Sequence, residues 1–137
     1  MTSIDVIENK IAALEKYLAI LAGYQAHTQE EIVSDTDRRG ACERYLYLAT
    51  QTAVDLAEAM VSFKQLRKPT SLRESFAILA ENGLISQSLT DKMVKMVGFR
   101  NALAHDYEAI DYAIVYDVLQ NKLADIKEFK EAIAGHL

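Results

Sequence analysis

Apolar residues recur along this chain in steps of three and four, the spacing of a helix face. Ile4, Ile7, Ile11, Leu14, Leu18 and Leu21 form the first such line, an a/d stripe that predicts a long amphipathic helix. Thr2 or Ser3 can cap it and Asp5 suits its first turn; the helix is expected to continue towards Ile32. A second run opens after Ser34, Asp35, Thr36 and Asp37 and reaches about Leu66, with Pro69 as its stop. Its apolar line is Cys42, Tyr45, Ala49, Ala53, Leu56, Met60 and Phe63. Ser71 and Glu74 read as a capping box for a short third helix, closed by Asn82 and Gly83. A fourth starts near Ser88 and carries Leu89, Met93, Met96 or Val97, and Leu103, before a break or bend over residues 105–108. The last carries Tyr112, Val115, Leu119, Leu123, Ile126 and Ile133. No window alternates with period two. The expectation is an all-α, antiparallel bundle of about five helices, the two long ones packed against the last two.

Composition agrees with that picture. A chain of 137 residues, 50% hydrophobic and 26% charged, suits a single globular domain over 1–137 with a core that needs no metal or disulfide. One proline and five glycines argue against a turn-rich β fold. The lone Cys42 excludes an internal disulfide and fits a reducing cytoplasm. No apolar run approaches the roughly 18 residues of a membrane span and no signal-peptide pattern opens the chain, so a soluble cytoplasmic domain with no membrane attachment is expected.

The net charge of −5 argues against a general nucleic-acid binder. The distribution is uneven, however. Residues 1–37 hold two lysines against seven acids, and residues 101–137 three lysines against seven acids. Residues 38–100 hold ten lysines and arginines against six acids, every arginine among them. A basic middle can offer a local phosphate site, although mixed charge is also the ordinary state of helix surfaces.

Several chemistries have no residues to run on. There is no Glu-x-x-His pair for a di-metal bundle, no zinc helix, no cysteine cluster and no glycine-rich phosphate loop. No metal and no cofactor are expected. Of the three histidines, His136 lies at the chain end and His27 among polar neighbours. His105 stands five residues after Arg100 and four after Asn101, so Asn101 and His105 share a helix face and Arg100 flanks it. Arginine neutralises phosphate oxygens bidentately, and histidine is the residue type that moves protons near neutral pH. Phosphodiester chemistry suits that set; a helix-end histidine beside a surface arginine is the plain structural alternative.

The string Arg100, Asn101, His105, Tyr107 resembles the HEPN superfamily and, more narrowly, the HepT-like family of small ribonuclease toxins. These are the partners of MntA-type minimal nucleotidyltransferase antitoxins. The resemblance extends to the length, the helix order and the earlier helix through Arg39, Glu43, Arg44 and Asp55. It implies a homodimer in which Arg100 and His105 of both copies line one cleft and cut RNA without a metal. His105 would act as general acid or base and Arg100 would stabilise charge on the phosphoryl group. Asn101 would hold the histidine or the phosphate, and a cyclic phosphate end would result. It further implies neutralisation by the antitoxin through AMPylation of Tyr107.

Glu43, Tyr47, Gln51, Asp55, Glu58 and Ser62 form a polar stripe on the second helix. It reads either as a solvated face or as a wall of the cleft, with Glu43 and above all Asp55 as wall candidates. Gly98 reads either as a close helix approach beside the motif or as chance, and Cys42 reads as core. Two other readings stay open: a non-catalytic subunit that presents RNA or nucleotide to a nucleotidyltransferase, and a helix-turn-helix over residues 71–97.

Overall fold

Capping residues set the helix boundaries in the computed structural model, which describes residues 3–105 and 109–137. Ser3 opens α1 (Ile4–Tyr24), its hydroxyl accepting from the Val6 amide. The first helix does not run on to Ile32. Thr28 and Glu31 form a reciprocal capping box, amide 31 to hydroxyl 28 at 3.1 Å and amide 28 to carboxylate 31 at 2.9 Å, and start a separate α2 (Gln29–Ser34). Asp35 accepts from the amides of Asp37 and Arg38 and opens α3 (Thr36–Phe63).

The end of α3 precedes Pro69 because Gln65 takes φ 54°. The amides of Gln65 and Leu66 close on the carbonyls of Ser62 and Val61, which is a Schellman stop built without glycine. The same motif ends α4 (Leu72–Glu81), here with Gly83 at φ 73°. Ser71 caps α4 as expected, but the Glu74 carboxylate does not return to the cap. It accepts instead from Thr70 and Arg67, and Arg67 also holds Glu81 at 2.7 Å, which clamps the α3–α4 connection. Then α5 (Gln87–His105) starts from Ser86 rather than Ser88, since the Ser86 hydroxyl takes the Leu89 amide.

The last rod is α6 (Tyr112–Asp117), a π-helical turn (Val118–Lys122) and α7 (Leu123–Ala134) in continuous succession. A π turn leaves carbonyls open to outside donors. Gln25 donates to the Leu119 carbonyl and Gln120 returns a bond to the Gln25 carbonyl, each at 2.9 Å. Tyr116 adds a bond to the His27 carbonyl, so the α1–α2 turn is stitched to this rod. His27 is therefore half-buried beside Glu31 rather than fully solvated.

Helix α3 is the axis of the molecule, packed against α1, α4, α5 and α7. Cys42, Leu46, Ala49, Ala53, Leu56, Ala57 and Met60 are buried along it, and α1 answers with Ile7, Leu14 and Leu21. The α1 stripe narrows to that one line: Ile4 is 41% exposed, and Ile11 and Leu18 are half-buried. Ile126, Phe129 and Ile133 of α7 complete one contiguous core, with Phe129 edge-on to Phe76. The described residues are all-helical, without a strand, and none of their helices is long and apolar enough to cross a membrane. Among the described residues no helix backbone approaches Gly98 closely: a Cβ there would meet only the Arg73 guanidinium, at 3.9 Å.

Candidate functional site

The last two turns of α5 carry Arg100, Asn101 and His105, while Tyr107 lies outside the described residues. Arg100 is half-buried and lies against α3. Its Nε donates to Gln51 Oε1 at 2.6 Å, Nη1 to Asn101 Oδ1 at 2.9 Å and Nη2 to Tyr47 Oη at 3.5 Å. The guanidinium also stands 5.5 Å from the centre of the Tyr47 ring, within cation–π range. Gln51 in turn donates to Asp55 Oδ1 at 2.8 Å, and Lys10 of α1 pairs with the other Asp55 oxygen at 3.8 Å.

Spacing explains the platform. Tyr47, Gln51 and Asp55 are four apart on α3 and share one face, and α5 packs across that helix. A guanidinium has five N–H donors in a planar fork. Three are engaged, so among the described residues two remain for a ligand. The Asn101 side-chain oxygen accepts from Arg100 and helps to orient it. His105, the last residue of α5, is exposed, and its imidazole has no hydrogen bond to the described residues. As a histidine in the last turn of a helix it is well placed for the negative end of the dipole.

The polar stripe on α3 divides into separate environments. Glu43 accepts from the Tyr112 hydroxyl at 2.6 Å and stands beside Arg39, whose guanidinium lies 5.7 Å from the Tyr112 ring centre. That hydrogen bond to Glu43 pushes the Tyr112 phenol above its ordinary pKa. Glu43 and Tyr47, with Gly40, Arg44, Leu103, Ala104 and Ile110, line a cleft of about 320 Å³ next to the motif. Asp55 does not line it; it sits behind Gln51. Glu58 and Ser62 face a second groove of about 710 Å³ at the other end of α3, and burial pushes the Glu58 carboxyl up, helped by Asp55. From Gln51 to Glu58 a helix rises roughly 10 Å, so this groove opens about two turns along α3 from the mount of Arg100.

Among the described residues no cluster of His, Cys, Asp or Glu could hold a metal ion. In the helix-turn-helix region Lys92 is spent on Asp125 and Glu128 of α7. Among the described residues that leaves Lys95 as the free cation of the supposed reading helix, and DNA recognition loses its support. Sequence reasoning singled out the stripe but not the role of Tyr47 and Gln51. Their i, i+4 spacing was the visible signal; the partner that crosses them belongs to a helix about fifty residues away.

Known proteins resemble this chain over nearly its whole length. A family model described as "Ribonuclease HepT-like" matches residues 7–133. The chain is 33% identical over 129 residues to the mRNA nuclease HepT of Shewanella oneidensis, spanning 94% of this chain and 96% of that protein. It is 27% identical over 139 residues to the tRNA nuclease HepT of Aphanizomenon flos-aquae, spanning 100% and 95%. The solved structure of a tri-AMPylated Shewanella oneidensis HEPN toxin in complex with an MNT antitoxin superposes with a TM-score of 0.86 at 33% identity, covering 96% of this chain and 98% of that one. A family match over almost the whole length, joined to a relative of this identity, means that the chain belongs to the HepT-like ribonuclease family.

Proposed function

We propose that this chain is the ribonuclease toxin of a toxin–antitoxin pair, a single domain over 1–137 that cuts RNA without a metal. The observation that carries the reading is the mounted Arg100: a guanidinium held on three sides, with two N–H groups spare among the described residues, five residues before an exposed histidine. Arg100 binds the scissile phosphate and stabilises charge developing on its oxygens. The ribose 2′-oxygen forms a bond to phosphorus while the bond to the 5′-oxygen breaks, leaving a 2′,3′-cyclic phosphate and a 5′-hydroxyl. One proton leaves the 2′-hydroxyl and one reaches the departing oxygen, so two acid–base groups serve best. One chain supplies a single suitable histidine, His105, and a two-fold dimer supplies the second.

Two of the relatives are called nucleases, one of mRNA and one of tRNA, which supports RNA as the substrate class. The solved complex with an MNT antitoxin in which the toxin is tri-AMPylated supports a nucleotidyltransferase partner acting on Tyr107. The phenol oxygen of Tyr107 attacks the α-phosphorus of ATP, pyrophosphate leaves and the phenol proton passes to solvent. The AMP then places a phosphate charge and a purine beside His105, competing with RNA for Arg100 and repelling its backbone.

Cleavage of RNA by purified protein in the presence of chelator tests the reading. Wild type should cut. His105→Ala should lose about 10²–10⁴-fold and Arg100→Ala about 10²–10³-fold, both with unchanged helicity. Full activity in His105→Ala, or strict dependence on an added divalent metal, would overturn the mechanism.

A further inference from the structure

We propose that Gln51 is the positioning residue of Arg100, an uncharged relay through which Asp55 aims the guanidinium without neutralising it. The inference rests on the proposed ribonuclease reading and adds a residue to it.

The bond from Arg100 Nε to Gln51 Oε1 is 2.6 Å. A bond at Nε holds the inner side of the guanidinium plane and leaves terminal N–H groups at the outer edge for a ligand. The amide of Gln51 has a defined sense. Its oxygen faces Arg100 and its nitrogen donates to Asp55 Oδ1 at 2.8 Å, so donor and acceptor are both used and neither can exchange. Donation to a carboxylate polarises the amide and strengthens its oxygen as an acceptor. Lys10 of α1, 3.8 Å from Asp55, ties the far end of the chain of contacts to a third helix.

Charge explains why an amide stands between the two ions. A carboxylate at position 51 would form a charge-assisted pair with Arg100 and compete directly with an RNA phosphate for the same cation. An amide oxygen supplies the geometry and leaves the arginine its full charge. Asp55, one helical turn further along α3, contributes orientation through the relay rather than as a direct counter-ion.

The experiment compares wild type, Gln51→Glu, Gln51→Ala and the exchanged double variant Gln51→Glu/Asp55→Asn, with Arg100→Ala alongside. The exchanged variant keeps one carboxylate and one amide on the same two positions, so the net charge and bulk of the stripe are unchanged and a thermal melt verifies the fold. Steady-state cleavage uses a single-stranded oligoribonucleotide that wild type cuts, and affinity is read with an all-2′-O-methyl analogue that cannot be cut. Gln51→Glu and the exchanged variant should each lose at least tenfold in kcat/KM, chiefly through a raised KM and weaker analogue binding. Gln51→Ala should fall mainly in kcat, since the cation persists but swings free. Wild-type kcat/KM in the exchanged variant would overturn the relay, because only the total charge of the stripe would then matter. Undiminished cleavage by Arg100→Ala would overturn the ribonuclease reading itself; an inactive Arg100→Ala beside a fully active exchanged variant removes the relay alone.

Discussion

Two buried side chains show how local environment decides what a residue can do. Cys42 lies on the inner line of α3, 1% exposed, and burial pushes its thiol up to about 11. The thiolate is the reactive form, so the native protein should resist iodoacetamide at pH 8 and react only when guanidinium unfolds it. Rapid native alkylation, followed by mass, would contradict this placement. Ser75 on α4 is fully buried, and its hydroxyl has no hydrogen-bond partner among the described residues. A buried polar group without a partner costs stability, so Ser75→Ala should raise the unfolding free energy by about 1 kcal/mol, measured by urea denaturation. Arg100 is the contrasting case: half-buried like many surface arginines, it is distinguished by the three groups that hold it.

At the scale of elements, the two Schellman stops differ in one residue. Gln65 holds φ 54° where Gly83 holds φ 73°, and a side chain in left-handed backbone costs roughly 1–2 kcal/mol. Gln65→Gly should therefore raise the melting temperature while Gly83→Ala lowers it; a shared sign would refute the assignment. Gly98→Ala should add about 1 kcal/mol, because the new methyl meets only ordinary contact at 3.9 Å. The caps and the clamp also set a response to acid. Glu31 is held below the usual glutamate range by the Thr28 amide first, then by its hydroxyl. Glu74 is lowered by Thr70 and then Arg67, and Glu81 by Arg67. Carboxyls lowered on folding stabilise the protein above the unfolded value, near 4.5, and that contribution disappears as pH falls through the folded values. Melts from pH 6 to pH 3 should show the loss, reduced in Arg67→Ala, whose baseline stability is already lower.

For the whole molecule, one chain supplies one Arg100 and one His105, and the proposed chemistry uses two acid–base groups. Light scattering at micromolar concentration should give about twice the 15.3 kDa of the chain; a clean monomer that still cuts RNA would remove the composite site. Control belongs to the same scale. Mixed with the proposed nucleotidyltransferase partner and ATP, the protein should gain mass in whole AMP units only when Tyr107 is present. Tyr107→Phe should still cut RNA and escape the partner. Neutralisation with unchanged mass would mean that the partner acts by binding alone.

The sequence by itself determined the all-helical class, most helix boundaries and the Arg100–His105 motif, because each is written in short-range pattern: apolar spacing, capping residues, and groups within two turns of one helix. Its boundary errors were also local. The box of Thr28 and Glu31 lay unread inside an apolar rhythm that carried on past it, and Gln65 stopped α3 through a backbone turn that residue type alone does not announce. Only the tertiary structure decided how the polar stripe of α3 divides. Glu43 turns to Tyr112, Gln51 and Tyr47 receive Arg100, and Asp55 stands behind them. Those partners lie 49 to 69 residues away. Which helix crosses which stripe follows from how the buried faces of α3 and α5 pack, a property of the assembled core and of no single segment.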